Sequence, residues 1–247
     1  MALGLPDHVR GCLFDMDGVL TRTATVHAAA WKQMFDEFLA RRAAQSGEPL
    51  RPFDAEADYD RYVDGRARAD GTRGFLESRG IHLPEGSEQD PPGADTVEGL
   101  SRRKNEIVLE KLRTERVAVF DDTIAYVRAV MDHGLARAVV SASANTAQVL
   151  ASAGIADLFD VRIDGVVAQR RHLPGKPAPD MYLAGARALG LDPSQAAVFE
   201  DALAGVEAGR AGRFGLVVGV DRVGQAEELR RHGADVVVSD LTELLRS

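Results

Sequence analysis

The sequence predicts an α/β protein, a doubly wound parallel sheet carrying an inserted helical segment. From Val117 onward, short apolar runs alternate with helical stretches, the rhythm of a sheet wound with helices on both faces. Those runs are rich in Val, Leu and Ala without polar alternation, as expected of parallel strands covered on both sides. Between about Gln45 and Gly99 the texture changes to proline pairs, glycines and many acids. That stretch reads as small helices joined by loops rather than as more sheet.

Taken in order, Arg10-Gly11-Cys12-Leu13-Phe14 reads as a short buried strand ending in a polar turn. A helix is expected from Thr25 to about Arg42, with Ala30, Met34 and Leu39 available for one face. Another is expected from about Thr96 to Arg113, and the acidic stretch Glu85–Asp95 before it reads as a solvated loop. Thr123–His133 then predicts a helix, Ala136–Val140 a strand, and Asn145–Ala153 a helix capped by its own asparagine. Val161–Ile163 is a short strand and Ala178–Leu189 a helix. Ala196–Phe199, Leu216–Val220 and Asp235–Val238 read as strands, separated by the helices Ala202–Ala211 and Gln225–Arg231. Open sheets of this kind bind ligands at the carboxyl ends of their strands. The polar residues just after the strand ends are therefore the candidate site, and the irregular middle segment would cover that edge.

Bulk composition narrows the function. A chain of 247 residues can bury a sizeable core without disulfides or structural metals. The net charge of -8 argues against a general nucleic-acid surface, which needs a basic excess. The single cysteine, Cys12, excludes an intrachain disulfide and a cysteine metal site. No signal peptide is visible in residues 1–10, and no apolar run reaches the roughly 18 residues that span a bilayer. A cytoplasmic protein with no membrane association and no obligate protein partner is expected.

The sharpest motif is Phe14-Asp15-Met16-Asp17-Gly18. Two carboxylates this close after an apolar strand repel one another when partly desolvated. Mg²⁺ would relieve that repulsion and position a phosphate. One acid can then attack phosphorus while the other moves a proton. An ordinary Asp-x-Asp-Gly turn, or a fragment of a calcium loop, is the alternative. Val198-Phe199-Glu200-Asp201 places two more acids at the end of another strand. They are candidates for the same cation, or for capping the helix from Ala202. Ser141-Ala142-Ser143-Ala144-Asn145 supplies hydroxyls and amides at a strand-to-helix junction, where anions bind. A plain helix cap would look the same. Lys176, in Gly175-Lys176-Pro177, offers a point charge to phosphate, although a lone loop lysine is ordinarily solvated. Together, and in this order, these are the parts needed to stabilise charge on a transferring phosphoryl group.

Phe14-Asp15-Met16-Asp17-Gly18-Val19-Leu20, Ser141-Ala142-Ser143, Lys176-Pro177 and Glu200-Asp201 resemble the four signature motifs of the haloacid dehalogenase superfamily, in order and across essentially the whole chain. The resemblance implies a Rossmann-like core, residues 1–23 and 114–247, with a helical cap domain at 24–113. It also implies a metal site of Asp15, Asp17, Glu200 and Asp201 holding Mg²⁺. Within the superfamily the chain is most similar to the β-phosphoglucomutase family. Thr23, His27 and Trp31 match the residues that follow the nucleophile motif there. Gly65-Arg66-Ala67-Arg68 resembles the cap loop whose arginine grips the distal phosphate, which points to Arg68. Lys104, within Arg103-Lys104-Asn105, matches the last cap helix, and Asn145 would touch phosphate or sugar. His27 would act as a hinge or acid–base positioner, and Trp31 either as a ligand contact or as cap packing.

Some positions depart from the family pattern. Arg22 replaces a small or acidic residue, Ala67 and Ala69 flank Arg68 where polar residues are usual, and Phe120-Asp121-Asp122 stands where a glycine turn is frequent. The long cap resembles forms found beside trehalose or maltose phosphorylases. The implied activity interconverts β-glucose 1-phosphate and glucose 6-phosphate, with Asp15 as nucleophile, Asp17 as acid and base, and a glucose 1,6-bisphosphate intermediate. A phosphatase on a small phosphorylated metabolite, or a non-catalytic sugar-phosphate sensor, shares the same core motifs.

Overall fold

The computed structural model describes residues 2–47, 49, 51–114 and 117–246. The chain forms two compact units, Met1–Arg22 with Val117–Ser247, and Thr23–Arg116. The return to the sheet unit, expected at 114, leads into residues 115 and 116, which lie outside the described residues.

In the sheet unit the strands are β1 (Gly11–Phe14), β2 (Ala136–Val140), β3 (Val161–Ile163), β4 (Ala196–Glu200), β5 (Leu216–Val220) and β6 (Val236–Val238). All pairings are parallel, in the order β3-β2-β1-β4-β5-β6. The chain winds outward from β1 through β2 to β3, then restarts on the other side with β4. The order therefore reverses between β1 and β4, which opens a crevice at their carboxyl ends. Phe14 lies in register with Phe199, so the residues just beyond them, Asp15 and Glu200, come side by side.

Successive strand residues face opposite sides of the sheet, and both sides are covered. Leu13 packs with Tyr182 of α7 (Asp180–Ala188), Val198, and Val206 of α8 (Leu203–Ala211). On the other face Phe14 stacks on Phe199 at 4.6 Å and meets Tyr126 of α4 (Asp121–Asp132) edge-on at 6.4 Å. Burial on both faces explains the unbroken apolar reading of these strands. Helices α5 (Thr146–Ala153) and α9 (Ala226–His232) follow β2 and β5.

The second unit is helical: α1 (Ala24–Ser46), a five-residue π-turn Tyr59–Val63, α2 (Arg68–Ser78) and α3 (Val97–Thr114). Trp31, Met34, Phe35 and Phe38 recur at helical spacing along α1 and are all buried. Phe35 packs on Phe75 of α2 at 4.1 Å and on Phe53 at 5.2 Å, which gives the unit an aromatic core of its own.

Four details differ from the sequence reading. Helix α1 runs to Ser46, where Gly47 at φ 73° stops it. Helix α6 (Gly165–Arg171) was not expected, since only Val166 and Val167 mark it; the Asp164 carboxylate starts it by accepting the Val167 amide at 2.8 Å. Asn145 occupies the cap position of α5 but makes no side-chain cap bond there; its backbone amide donates to the Ser143 hydroxyl at 3.2 Å. The acidic stretch 85–95 is a loop, but a fastened one. Glu85 takes a two-pronged contact from Arg73 at 2.9 and 2.8 Å, and Arg41 reaches the Gly93 carbonyl at 3.1 Å. No helix among the described residues is long and apolar enough to cross a membrane.

Candidate active site

Asp15 follows β1 directly, and its amide continues the ladder to the Phe199 carbonyl at 3.0 Å. The backbone then turns sharply. Gly18 sits at φ 91°, its amide donates to the Thr21 carbonyl at 2.8 Å, and Thr21 and Leu20 donate back to Met16. A Cβ at position 18 would lie 1.7 Å from Asp201 Oδ2, so only glycine admits the Asp201 carboxylate to this loop.

One buried ammonium joins the two strand ends. Lys176 Nζ donates to Asp15 Oδ1 at 2.5 Å and to Glu200 Oε1 at 2.5 Å, and reaches the Val140 carbonyl at 3.3 Å. The Tyr182 hydroxyl donates to the same Glu200 oxygen at 2.9 Å, while Glu200 Oε2 accepts the Ala202 amide at 3.0 Å. Asp201 does not cap α8, as the sequence reading allowed; Ala202 is the cap residue, and Glu200 holds its amide. Glu200 can lie where it does because position 205, inside α8, is glycine: a Cβ there would come within 1.7 Å of Oε1.

The electrostatics follow from burial and crowding. Burial pushes the Asp15 carboxyl well above the usual carboxylate range; Lys176 opposes the shift, and the charges of Glu200 and Asp17 reinforce it. Burial acts to lower the Lys176 pKa, but Asp15 and Glu200 outweigh it and hold the ammonium above its ordinary value. Burial and the Glu200 charge raise the Tyr182 phenol, which stays protonated and donates.

The hydroxyl turn closes the site from β2. Ser141 is buried, its amide continues the sheet to Ile163, and its Oγ accepts the Ser143 amide at 3.1 Å. Accepting that amide leaves the Ser141 proton to be donated to an anion. Ala142 and Ser143 are half-buried, and the Ser143 carbonyl gathers the Thr146 hydroxyl and the Gly165 amide.

Asp15, Glu200 and Asp201 each place a carboxylate oxygen within 4.8 Å of the others. Three hard oxygen donors against one ammonium fit a divalent cation such as Mg²⁺. Asp17, half-buried one turn further on, stands outside that group.

In the helical unit, Lys104 of α3 is buried, with Nζ 2.8 Å from His27 Nδ1 and 4.8 Å above the Trp31 ring. An ammonium only donates, so His27 accepts at Nδ1 and carries its proton on Nε2. Trp31 is buried and stacked on Phe35 at 5.3 Å, which makes it part of the packing as well as a wall for Lys104. Thr23 is buried at the cap position of α1. Gly65 takes φ 66°, and half-buried Arg68 opens α2, its pKa lowered by burial against the pull of Glu98. Asn145 is half-buried at the start of α5.

The sheet unit thus brings Asp15, Lys176, Glu200 and Asp201 together, and the helical unit brings His27, Trp31 and Lys104 together. Tyr182 was missed, for its hydroxyl reaches Glu200 only through the packing of α7 on the sheet, and no sequence pattern signals that.

A family model described as haloacid dehalogenase-like hydrolase matches residues 9–213. The chain is 56% identical over 246 residues to a β-phosphoglucomutase of Mycobacterium bovis, covering 98% of this chain and 94% of that protein. It is 30% identical over 249 residues to the β-phosphoglucomutase of Bacillus subtilis, covering 96% of this chain and 94% of that one. The crystal structure of β-phosphoglucomutase from Clostridium difficile shares the fold with a TM-score of 0.74 at 24% identity, covering 96% of this chain and 93% of that chain. Motif order, sheet order and relatives agree: the chain belongs to the haloacid dehalogenase-like hydrolase family.

Proposed function

We propose that this chain is a Mg²⁺-dependent β-phosphoglucomutase, converting β-D-glucose 1-phosphate to glucose 6-phosphate. The observation that carries the reading is the buried ammonium of Lys176 bridging Asp15 and Glu200 where the strand order reverses. The relative at 56% identity supports the substrate.

Asp15 carries a phosphoryl group. The 6-hydroxyl oxygen of β-glucose 1-phosphate attacks phosphorus, the bond from phosphorus to the Asp15 carboxylate breaks, and the Asp17 carboxylate takes the hydroxyl proton. The product, β-glucose 1,6-bisphosphate, turns round in the site. The Asp15 carboxylate then attacks the C1 phosphate, the bond from phosphorus to the sugar oxygen breaks, and Asp17 returns its proton to that oxygen. Lys176 and the Ser141 hydroxyl hold the reacting phosphate, with Ala142, Ser143 and Asn145 completing the turn around it. Arg68 grips the distal phosphate as a planar fork. Within the helical unit, Gly65, Thr23, His27, Trp31 and Lys104 are the residues assigned to sugar contacts. Mg²⁺ would be held by Asp15, Glu200 and Asp201, and would supply charge to neutralise the phosphate oxygens.

The test is turnover of β-glucose 1-phosphate with Mg²⁺ and a trace of β-glucose 1,6-bisphosphate, following glucose 6-phosphate and inorganic phosphate together. Glucose 6-phosphate with little inorganic phosphate is the expected result. Inorganic phosphate without isomerisation would make the chain a phosphatase.

A further inference from the structure

Arg222, two residues beyond β5, is bound on every side. Its Nε donates to the Gly18 carbonyl at 3.3 Å and its Nη1 to the Ser239 carbonyl at 2.9 Å. Nη2 donates to Asp122 Oδ2 and to the Thr123 hydroxyl, both at 3.0 Å. Its guanidinium lies 3.9 Å from the Phe120 ring centre, and Arg22 lies on the same ring at 4.2 Å. Asp122 also accepts the Leu241 amide at 3.1 Å.

These contacts gather three of the positions that depart from the family pattern, Arg22, Phe120 and Asp122, into one cluster. The cluster sits where the chain leaves the sheet unit and comes back to it. Phe120 donates its amide to the Leu20 carbonyl at 3.0 Å, Arg22 donates to Ala118 at 2.8 Å, and Thr21 bridges Val119. Arg222 therefore ties the outgoing segment 18–22, the returning segment 118–120 and the start of α4 together at the carbonyl one residue after Asp17.

We propose that Arg222 is a positioning residue for the loop Asp15–Gly18, setting the Asp17 carboxylate through the Gly18 carbonyl and the Phe120 stack. The inference rests on the phosphoryl-transfer reading of the site. Gly18 is then held at three points: its amide by Thr21, its α-carbon by the close approach of Asp201, and its carbonyl by Arg222. A planar fork with five donors can serve four acceptors and a ring face at once, which a lysine ammonium cannot.

The fold supplies a matched control. Arg137, near the start of β2, is equally enclosed: it donates to the Leu158 carbonyl at 2.7 Å, the Leu135 carbonyl at 2.6 Å and Asp160 at 2.8 Å. It lies at the amino end of its strand, away from the loop. The experiment compares Arg222→Lys with Arg137→Lys, each assayed well below its own melting temperature. For Arg222→Lys, kcat for glucose 6-phosphate falls about tenfold or more with KM changed less than about threefold, the mark of a misplaced group. Arg137→Lys loses melting temperature and keeps its kcat. If Arg222→Lys retains wild-type kcat, the proposal is wrong, whatever happens to its stability. If the wild type releases inorganic phosphate instead of glucose 6-phosphate, the substrate reading fails, and the same tenfold criterion applied to phosphate release decides Arg222. Should Arg222→Lys not fold, Phe120→Leu replaces it, with amide hydrogen exchange across residues 15–20 as the readout. Exchange accelerated over wild type there, with β5 unchanged, supports the role, and exchange at the wild-type rate across 15–20 overturns it.

Discussion

The two ends of the parallel sheet treat charge differently. At the amino end Asp160, Asp235 and Asp192 each have a settled partner. Asp160 receives both the amide and the guanidinium of Arg137, Asp235 accepts the Val217 amide, and Asp192 closes a capping box with Gln195. At the carboxyl end Asp15 and Glu200 share one ammonium, and Asp201 brings a third carboxylate within 4.8 Å of both. Ordinary folding favours the first arrangement, since a buried charge must be paired. The second arrangement lowers stability and prepares the site for a cation and a phosphate. Function is found where the fold tolerates a surplus of charge.

Mutations can break that contrast. The largest effect is expected for Asp15→Asn, which removes the nucleophile: turnover falls about 10⁴-fold or more. Removing one of the crowded acids leaves the metal-free melting temperature undiminished. Mg²⁺ raises the melting temperature of the wild type by mass action and raises that of Asp15→Asn less. Lys176→Met comes next. Glu200 and Asp15 then lose their ammonium, and stability falls by about 3–5 kcal/mol. The variant loses about 10³-fold in kcat with the lost charge on the phosphate. Chemical denaturation and steady-state kinetics read both.

Arg68→Ala sharpens the division of labour between the units. Glucose 6-phosphate formation is expected to drop about 100-fold with the loss of a phosphate fork. Phosphorylation of Asp15 by acetyl phosphate, which has no distal phosphate to grip, should lose less. The smallest effect belongs to the amino end: Asp160→Asn, at a half-exposed ion pair, costs about 1 kcal/mol or less and leaves kcat unchanged. A loss of activity there would erase the contrast between the two ends.

Much of the sheet unit was legible because its signals are local. Strands buried on both faces read as unbroken Val, Leu and Ala, and Asp15, Lys176 and Asp201 stand just beyond strand ends or in rigid loops. The coupling of Asp15 to Glu200 needed only that β1 and β4 be neighbours. Other features were hidden because they are tertiary. Helix α6 has seven residues and almost no periodicity, and only the Asp164 cap could have announced it. Tyr182 looks like core packing until α7 is laid against the sheet. Arg222 lies 204 residues from the carbonyl it holds. In the helical unit, Trp31 and Lys104 were named from resemblance alone; that they touch depends on α1 and α3 packing side by side.

Position 205 shows what such a site asks of protein engineering. Inside an exposed helix, replacing glycine by alanine ordinarily gains about 0.5–1 kcal/mol, so a stabilisation scheme guided by helix propensity would choose Gly205→Ala early. Here the added methyl would arrive 1.7 Å from the Glu200 oxygen that anchors Lys176. The carboxylate would have to swing away, taking the anchor of the lysine with it. A residue with no functional group is thus part of the catalytic design, and a library that ranked variants by helix stability alone would discard the activity first.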